Sequence, residues 1–232
     1  AYSNTTIDRL ASLSVTGQGS GQGSGQGTGS TTSTAGTAQD GLLLLSAAGN
    51  TQLQAAHISN QAAGGNTVIQ TGGDLSLGTV QTHSAQNINY GGGSHLNFAS
   101  SAEVGTQIQT QGHLNLQAGG DITARAAQVD AAGDLKATAG GSIAIAAGSA
   151  SQSVDDRYYR KRSGFLSSSS RTLEDQVQHS TAQASSLGGN TVTLQAGQNI
   201  AVTGSQVISD SGTTLAAQNN ITIAAATNTT TA

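Results

Sequence analysis

Three aspartates, Asp74, Asp121 and Asp134, each follow a glycine directly at the start of a short apolar alternation. Carboxylates paired across one face of an extended β structure are the acid/base equipment that cleaves polysaccharides. An aspartate placed after a glycine has a plainer use, accepting hydrogen bonds from a turn backbone. That use accounts for all three, so no catalytic residue is assigned. The five histidines, His57, His83, His95, His113 and His179, are scattered. His95 and His113 both precede a leucine, a placement that would stack them on one face a repeat apart, but the expected reading is solvent-facing corner residues. Two imidazoles without a third ligand do not hold a metal, so neither a metal nor a cofactor is expected. Cysteine is absent, which removes disulfides, thiol nucleophiles and Cys-based zinc sites together. No G-x-S-x-G elbow, H-E-x-x-H helix, phosphate-binding loop, G-x-G-x-x-G fingerprint or calcium-binding G-G-x-G-x-D unit occurs. The expectation is a protein that is not an enzyme. The alternative is an extracellular polysaccharide-processing β-helix enzyme, for which acidic residues on the repeats are few.

The remaining chemistry is concentrated in residues 151–187, which carry the adjacent Tyr158 and Tyr159, Phe165, and five of the eight basic residues: Arg157, Arg160, Lys161, Arg162 and Arg171. A basic, tyrosine-bearing patch on a nearly neutral molecule suits contact with acidic glycans, lipid head groups or a partner chain. The contact set is Arg157, Tyr158, Tyr159, Arg160, Lys161, Arg162 and Phe165. Asp155, Asp156, Glu174 and Asp175 flank it, and the plain alternative is a solvated segment whose charges pair locally, each pair being worth little.

Whatever these residues do, something must position them. Charged residues are only 9% of the 232, aromatics 3%, and proline and methionine are missing. An ordinary domain has about a quarter charged residues and a few per cent proline. Such a bias indicates a repetitive architecture with a thin core, and the lack of a starting methionine indicates a piece of a longer protein. The formal net charge of −4 argues against nucleic acid as a partner. No apolar run is long enough to span a bilayer.

Leucines at 53, 75, 96, 114 and 135 open similar units at steps of 22, 21, 18 and 21 residues. Within a unit, Leu114, Leu116, Ile122, Ala124 and Val129 stand at offsets 0, 2, 8, 10 and 15. Leu135, Ala137, Ile143, Ile145 and Ala150 repeat those offsets, as do Val192, Leu194, Ile200, Val202 and Val207, while Leu215, Ala217, Ile221 and Ile223 follow with a shorter middle turn. An offset of 2 is the strand period, and the jumps leave room for corners. Gly72-Gly73, Gly119-Gly120, Gly140-Gly141, Gly188-Gly189 and Asn219-Asn220 supply them, as residues tolerant of left-handed backbone. The pattern predicts an all-β, three-sided parallel β-solenoid with coils of about 21 residues, stacked because one coil buries too little to stand alone. Eight or so coils at about 4.8 Å each would form a rod on the order of 40 Å long.

The chain divides accordingly. Residues 1–16 hold enough apolar side chains for one strand or a short helix, and their role is open. Residues 17–38 form a Gly/Gln/Ser/Thr linker, and 39–150 and 188–232 form coils. Residues 151–187 are a polar, basic excursion, either hairpin or mobile loop; in the competing reading Leu166, Val177 and Leu187 fill degraded coils.

The units GGDITARAAQVDAAGDLKATAGGSIAIAAGS, KRSGFLSSSSRT and GGNTVTLQAGQNIAVTGSQVISDSGTTLAAQNNITI resemble the haemagglutinin repeats of filamentous-haemagglutinin-like exoproteins. The likeness runs from Gly41 to Thr230, and SGFLSSSS followed by GGN and GSQVISD is its most specific part. The resemblance implies a right-handed parallel β-helix, secreted to the bacterial cell surface through an outer-membrane two-partner secretion transporter. It further implies a role in adhesion to a glycan or receptor on a host or neighbouring cell, or as the stick of a contact-dependent growth inhibition toxin.

Overall fold

The computed structural model of the chain describes residues 1–16 and 41–232, and every regular element among them is a β-strand. The 17–38 linker lies outside the described residues. Most strands are four or five residues long and run parallel in three ladders that the chain visits in turn. The first ladder stacks Leu43–Ala47, Thr67–Thr71, Leu114–Ala118, Leu135–Ala139 and the later halves of Ser186–Ala196 and Gln206–Ala217. The second stacks Thr51–Gln54, the start of Leu75–Gly91, Ile122–Arg125, Ile143–Ala146, Ile200–Thr203 and Ile221–Ala224. The third stacks Ser12–Val15, His57–Asn60, Gln107–Thr110, Gln128–Ala131 and the early halves of the two strands that also close the first ladder. Residues 1–16 thus contribute strands and no helix.

Strand alternation turns one side chain in two inward, and the parallel registers pile these into columns. Leu114 lies between Thr67 and Leu135, Ile122 between Leu75 and Ile143, and Val129 between Ile108 and Leu187. Ile69, Leu75, Ile108, Leu135, Val192, Leu194 and Ile200 are fully inaccessible. The registers also revise the expected repeat. Leu53 and Leu75 lie in the second ladder, opposite Leu77 and Ile122, and do not open coils as Leu114 and Leu135 do; Leu96 opens none either, because it pairs antiparallel with Ile88 in a hairpin. The fifth position of the coil beginning at Leu135 is Leu187 rather than Ala150, which lies in a second hairpin. The last coil has no shortened turn: it starts at Thr213, opposite Val192, so a polar residue occupies the expected leucine position. Each ladder holds six strands among the described residues, not eight, because the hairpins consume the missing length.

The corner glycines do not serve as expected. None of the five predicted corner pairs has a positive φ. Gly72, Gly119, Gly140 and Gly197 are needed for space: a Cβ on each would lie closer than 3.0 Å to a backbone carbonyl oxygen in the coil beneath. Their N–H groups donate across that gap to Ala47, Thr71, Ala118 and Ala139 at 2.9–3.0 Å. The corner beside them is held by a chain of side chains, each accepting a hydrogen bond from the backbone of the next coil. Asn50 Oδ1 accepts from Asp74 N–H, Asp74 Oδ1 from Asp121 N–H and Asp121 Oδ1 from Ser142 N–H.

Two antiparallel hairpins leave the stack at one corner, between the second and third ladders. They span Thr79–Gly105 and Gly148–Gln183, and the coil between them turns that corner tightly at Ala126, in the left-handed region at φ 45°. The hairpins pair with each other, Ala150 opposite Ala102 through to Arg157 opposite His95. Tyr2–Thr5 adds to one edge and Thr229–Thr231 to the other, giving a six-stranded arm sheet. The spacing is self-consistent. Hairpins on alternate coils are separated by two coil rises of about 4.8 Å, and two antiparallel strands occupy the same width, so neighbouring hairpins meet edge to edge without a gap.

Where a hairpin returns, a buried hydroxyl replaces the missing corner. Thr106 Oγ1 donates to Leu53 O at 2.7 Å and accepts from Ala56 N–H, and Ser185 Oγ donates to Ala146 O at 2.7 Å and accepts from Ala127 N–H at 3.0 Å. Ser185→Ala would leave the Ala127 N–H buried and unpaired, which costs about 1–3 kcal/mol. A urea midpoint shifted by that amount, with an unchanged slope, is the expected result; an unshifted midpoint would remove the role given to the hydroxyl.

Candidate functional site

The arm sheet gathers most of the residues that could contact another molecule. Directly opposite residues on antiparallel strands share a face, so the registers sort its side chains. One face carries Tyr2, Gln86, Phe98, Val154 and Val177 in one row, Ile88, Leu96, Asp156 and Asp175 in the next, and Tyr158 opposite Leu173 beyond. The other carries Asn87, Asn97, Asp155 and Gln176, then Asn89, His95, Arg157 and Glu174. Shallow grooves of about 550 and 580 Å³ lie over the small side chains near the middle of the sheet.

The root of the arm is held by one carboxylate. Glu103 accepts two hydrogen bonds from the Arg125 guanidinium, at 2.7 and 3.0 Å, and one from Ser149 N–H at 3.2 Å. It therefore ties the first hairpin, the intervening coil and the second hairpin together. The bond to Glu103 raises the Arg125 pKa above its usual value.

The first hairpin turns at Gly92-Gly93, both with positive φ, the tight two-residue turn that suits a hairpin's twist. Tyr159 of the second hairpin lies over this turn: its ring is 3.5 Å from where a Gly93 Cβ would sit. Its N–H donates to Ser94 Oγ at 2.9 Å, and that hydroxyl donates back to Tyr159 O at 3.2 Å. Tyr159 is therefore packed within the sheet, and Arg157 is half-buried, its Nε without a partner. Tyr158, Arg160, Lys161, Arg162 and Phe165 stand exposed. Arg171, opposite Arg160, and Leu166, beside Phe165, complete the same tip. Leu166 is 93% exposed and fills no coil, whereas Leu187 does lie in the third-ladder column. The expected local charge pairing is not found. Asp155 accepts from Asn97 Nδ2 at 3.1 Å and faces the His95 ring at 3.4 Å, and among the described residues none of the hairpin's arginines or its lysine pairs with a carboxylate.

The other candidates separate. Asp74 and Asp121 accept from neighbouring backbone at one corner, as described above. Asp134 lies at another corner, where Thr191 Oγ1 and Asn190 Nδ2 donate to it at 2.7 and 3.3 Å, so the three share no groove. The Thr191 hydroxyl, followed by the Asn190 amide and His113, holds the Asp134 pKa below the usual carboxylate value. His113 and His95 are not stacked a repeat apart: His113 Nδ1 accepts from Asp134 N–H at 2.9 Å at the corner, and His95 belongs to the arm. No cluster of three metal-ligating side chains occurs among the described residues. The exposed second arginine–leucine pair of the tip, Leu166 and Arg171, is the part that residue types left unassigned; the antiparallel register of the hairpin is what brings them beside Phe165 and Arg160.

No curated protein and no solved structure matches the chain. The family described as hemagglutinin repeat matches residues 85–158 and again 166–232, together more than half of the length. The first matched span begins and ends in strands of the arm sheet, and the second runs from the turn of the second hairpin to the residue after the last arm strand, so each matched unit is a pair of coils with its share of the arm. By this match, on an all-β stack of parallel ladders, the chain belongs to the hemagglutinin repeat family.

Proposed function

We propose that the chain is a structural and adhesive segment of a secreted bacterial surface filament. In this reading the three ladders form a right-handed, three-sided parallel β-helix with coils of about 21 residues, since nearly all crossovers between parallel strands are right-handed. The stack is the stalk and the arm sheet is the contacting element. Members of this family are typically secreted surface proteins, which supports export through an outer-membrane two-partner secretion transporter and a place at the cell surface. The partner is a glycan or receptor on a host or neighbouring cell, met as an adhesin or as the stick of a contact-dependent toxin. Residues 17–38 serve as a linker in this scheme.

The observation that carries the proposal is the set of cations without a carboxylate partner on an exposed hairpin, at the end of a sheet that grows from the buried stack. Immobilised chain is expected to retain target cells in a salt-sensitive manner. The triple variant Arg160→Gln, Lys161→Gln, Arg162→Gln should retain a tenth as many or fewer. Equal retention by the triple variant would assign these residues to solvation and remove the contact role.

A further inference from the structure

We infer that the tip of the second hairpin, residues 160–171, docks onto an anionic lipid bilayer, with Phe165 and Leu166 entering the interface and Arg160, Lys161, Arg162 and Arg171 binding phosphate head groups. The inference rests on the arm being the contacting element and adds what it touches.

The geometry is that of a probe standing clear of its support. Tyr159 is the last residue covered by the first hairpin's turn. Beyond it the two strands run on paired only with each other, from Arg160 to Ser163 and back from Ser168 to Arg171. Four residues at about 3.3 Å each carry the turn roughly 13 Å past the rest of the sheet. The four-residue turn 164–167 is closed by the Gly164 N–H donating to Ser167 O at 2.7 Å. At its apex Phe165 is 102% exposed and Leu166 93%. No fold requirement explains two large apolar side chains held together in water, and such a pair marks a contact surface when polar residues rim it.

The rim is serine and positive charge, with no carboxylate between Arg160 and Arg171. Arg160 lies directly opposite Arg171, a like-charge pair that destabilises a bare hairpin and that an anion between the strands would relieve. Arg162 shares their face and Lys161 takes the other, so positive charge surrounds the strands. The nearest carboxylates, Glu174 and Asp175, sit opposite Arg157 and Asp156, further down the stem. A sulfated glycan would satisfy the cations and leave the apex in water. A bilayer satisfies both, phosphate at the level of the collar and hydrocarbon at the level of the apex.

The chain contains no tryptophan, so Phe165→Trp places a single reporter at the apex. With phosphatidylcholine vesicles containing about one third phosphatidylglycerol, its emission should shift to the blue and the protein should float with the vesicles; pure phosphatidylcholine should give neither. Each cation near an anionic surface contributes about fivefold in partition, so replacing all four with glutamine should lower binding at least about a hundredfold. Phe165→Ser with Leu166→Ser should lower it about tenfold while leaving its salt dependence in place. Vesicle binding without the blue shift would move the contact off the tip and overturn the inference. A shift with heparin, or heparin binding without vesicle binding, would replace the bilayer by a glycan and leave the adhesive reading standing. Since neither apical side chain touches the stack, an unchanged circular dichroism spectrum separates these outcomes from misfolding.

Discussion

Leu135→Asp is expected to abolish folding of the stack, and Leu135→Ala to lower its stability by about 2–5 kcal/mol. Leu135 has no exposed surface and lies in register between Leu114 below and Val192 above. A repeat array is stabilised by contacts between adjacent coils, with little intrinsic stability in each coil. Truncating a central residue therefore weakens two interfaces and leaves a cavity open to neither end. A carboxylate there would be buried without a partner, a far larger cost. Ile223 occupies a core-type position on the terminal coil but is 72% exposed, so Ile223→Ala should change stability by no more than about 0.5 kcal/mol. Denaturant melts followed by circular dichroism measure both. Similar losses for the two alanine variants would mean that the columns do not hold the fold.

Gly140→Ala should lower the stability of the stack by about 1–3 kcal/mol for a single added methyl group. The cause is contact rather than backbone angle. The added Cβ would press on the Gly119 carbonyl oxygen, and all of its close neighbours are Gly119 backbone, with no flexible side chain able to yield. The Gly140 N–H already bonds Ala118 O at 3.0 Å, so relief would require the coils to separate at that corner. Gly49 sits near the equivalent corner of the first coil with nothing within 4 Å of its would-be Cβ and no positive φ. Gly49→Ala should be neutral or slightly stabilising, since alanine restricts the unfolded chain. The comparison is made within one protein by thermal melts. A large loss at Gly49, or none at Gly140, would remove the crowding explanation for the corner glycines.

Ala48 and Gln218 bear on the same point. They stand where Gly72, Gly119, Gly140 and Gly197 stand in the other coils, yet both carry side chains. Ala48 belongs to the first coil of its ladder, so no coil beneath it crowds its Cβ. Gln218 does have a coil beneath, and its N–H reaches Ala196 O at 3.3 Å, longer than the 2.9–3.0 Å of the glycines. The requirement for glycine follows the closeness of coil to coil.

The sequence by itself determined the coil. Apolar residues at offsets 0, 2, 8, 10 and 15 reappear as inward positions in successive coils, because the strand period and the corner length are local properties and local properties can be read along a chain. It determined as well that residues 151–187 carry most of the positive charge and depart from the repeat. It did not determine where a coil is interrupted. Leu96 and Ala150 are spaced like coil residues and lie in hairpins, while Leu187 returns to the column only after a long detour. A detour keeps the register of the ladder whatever its length, and spacing along the chain is blind to that. Only the tertiary structure decided that Thr79–Gly105 and Gly148–Gln183 leave at one corner on alternate coils and pair with each other, because that match depends on two coil rises equalling two strand widths. The exposed tip is a consequence of the same packing: the second hairpin outruns the first, and its last residues have no neighbour to bury them.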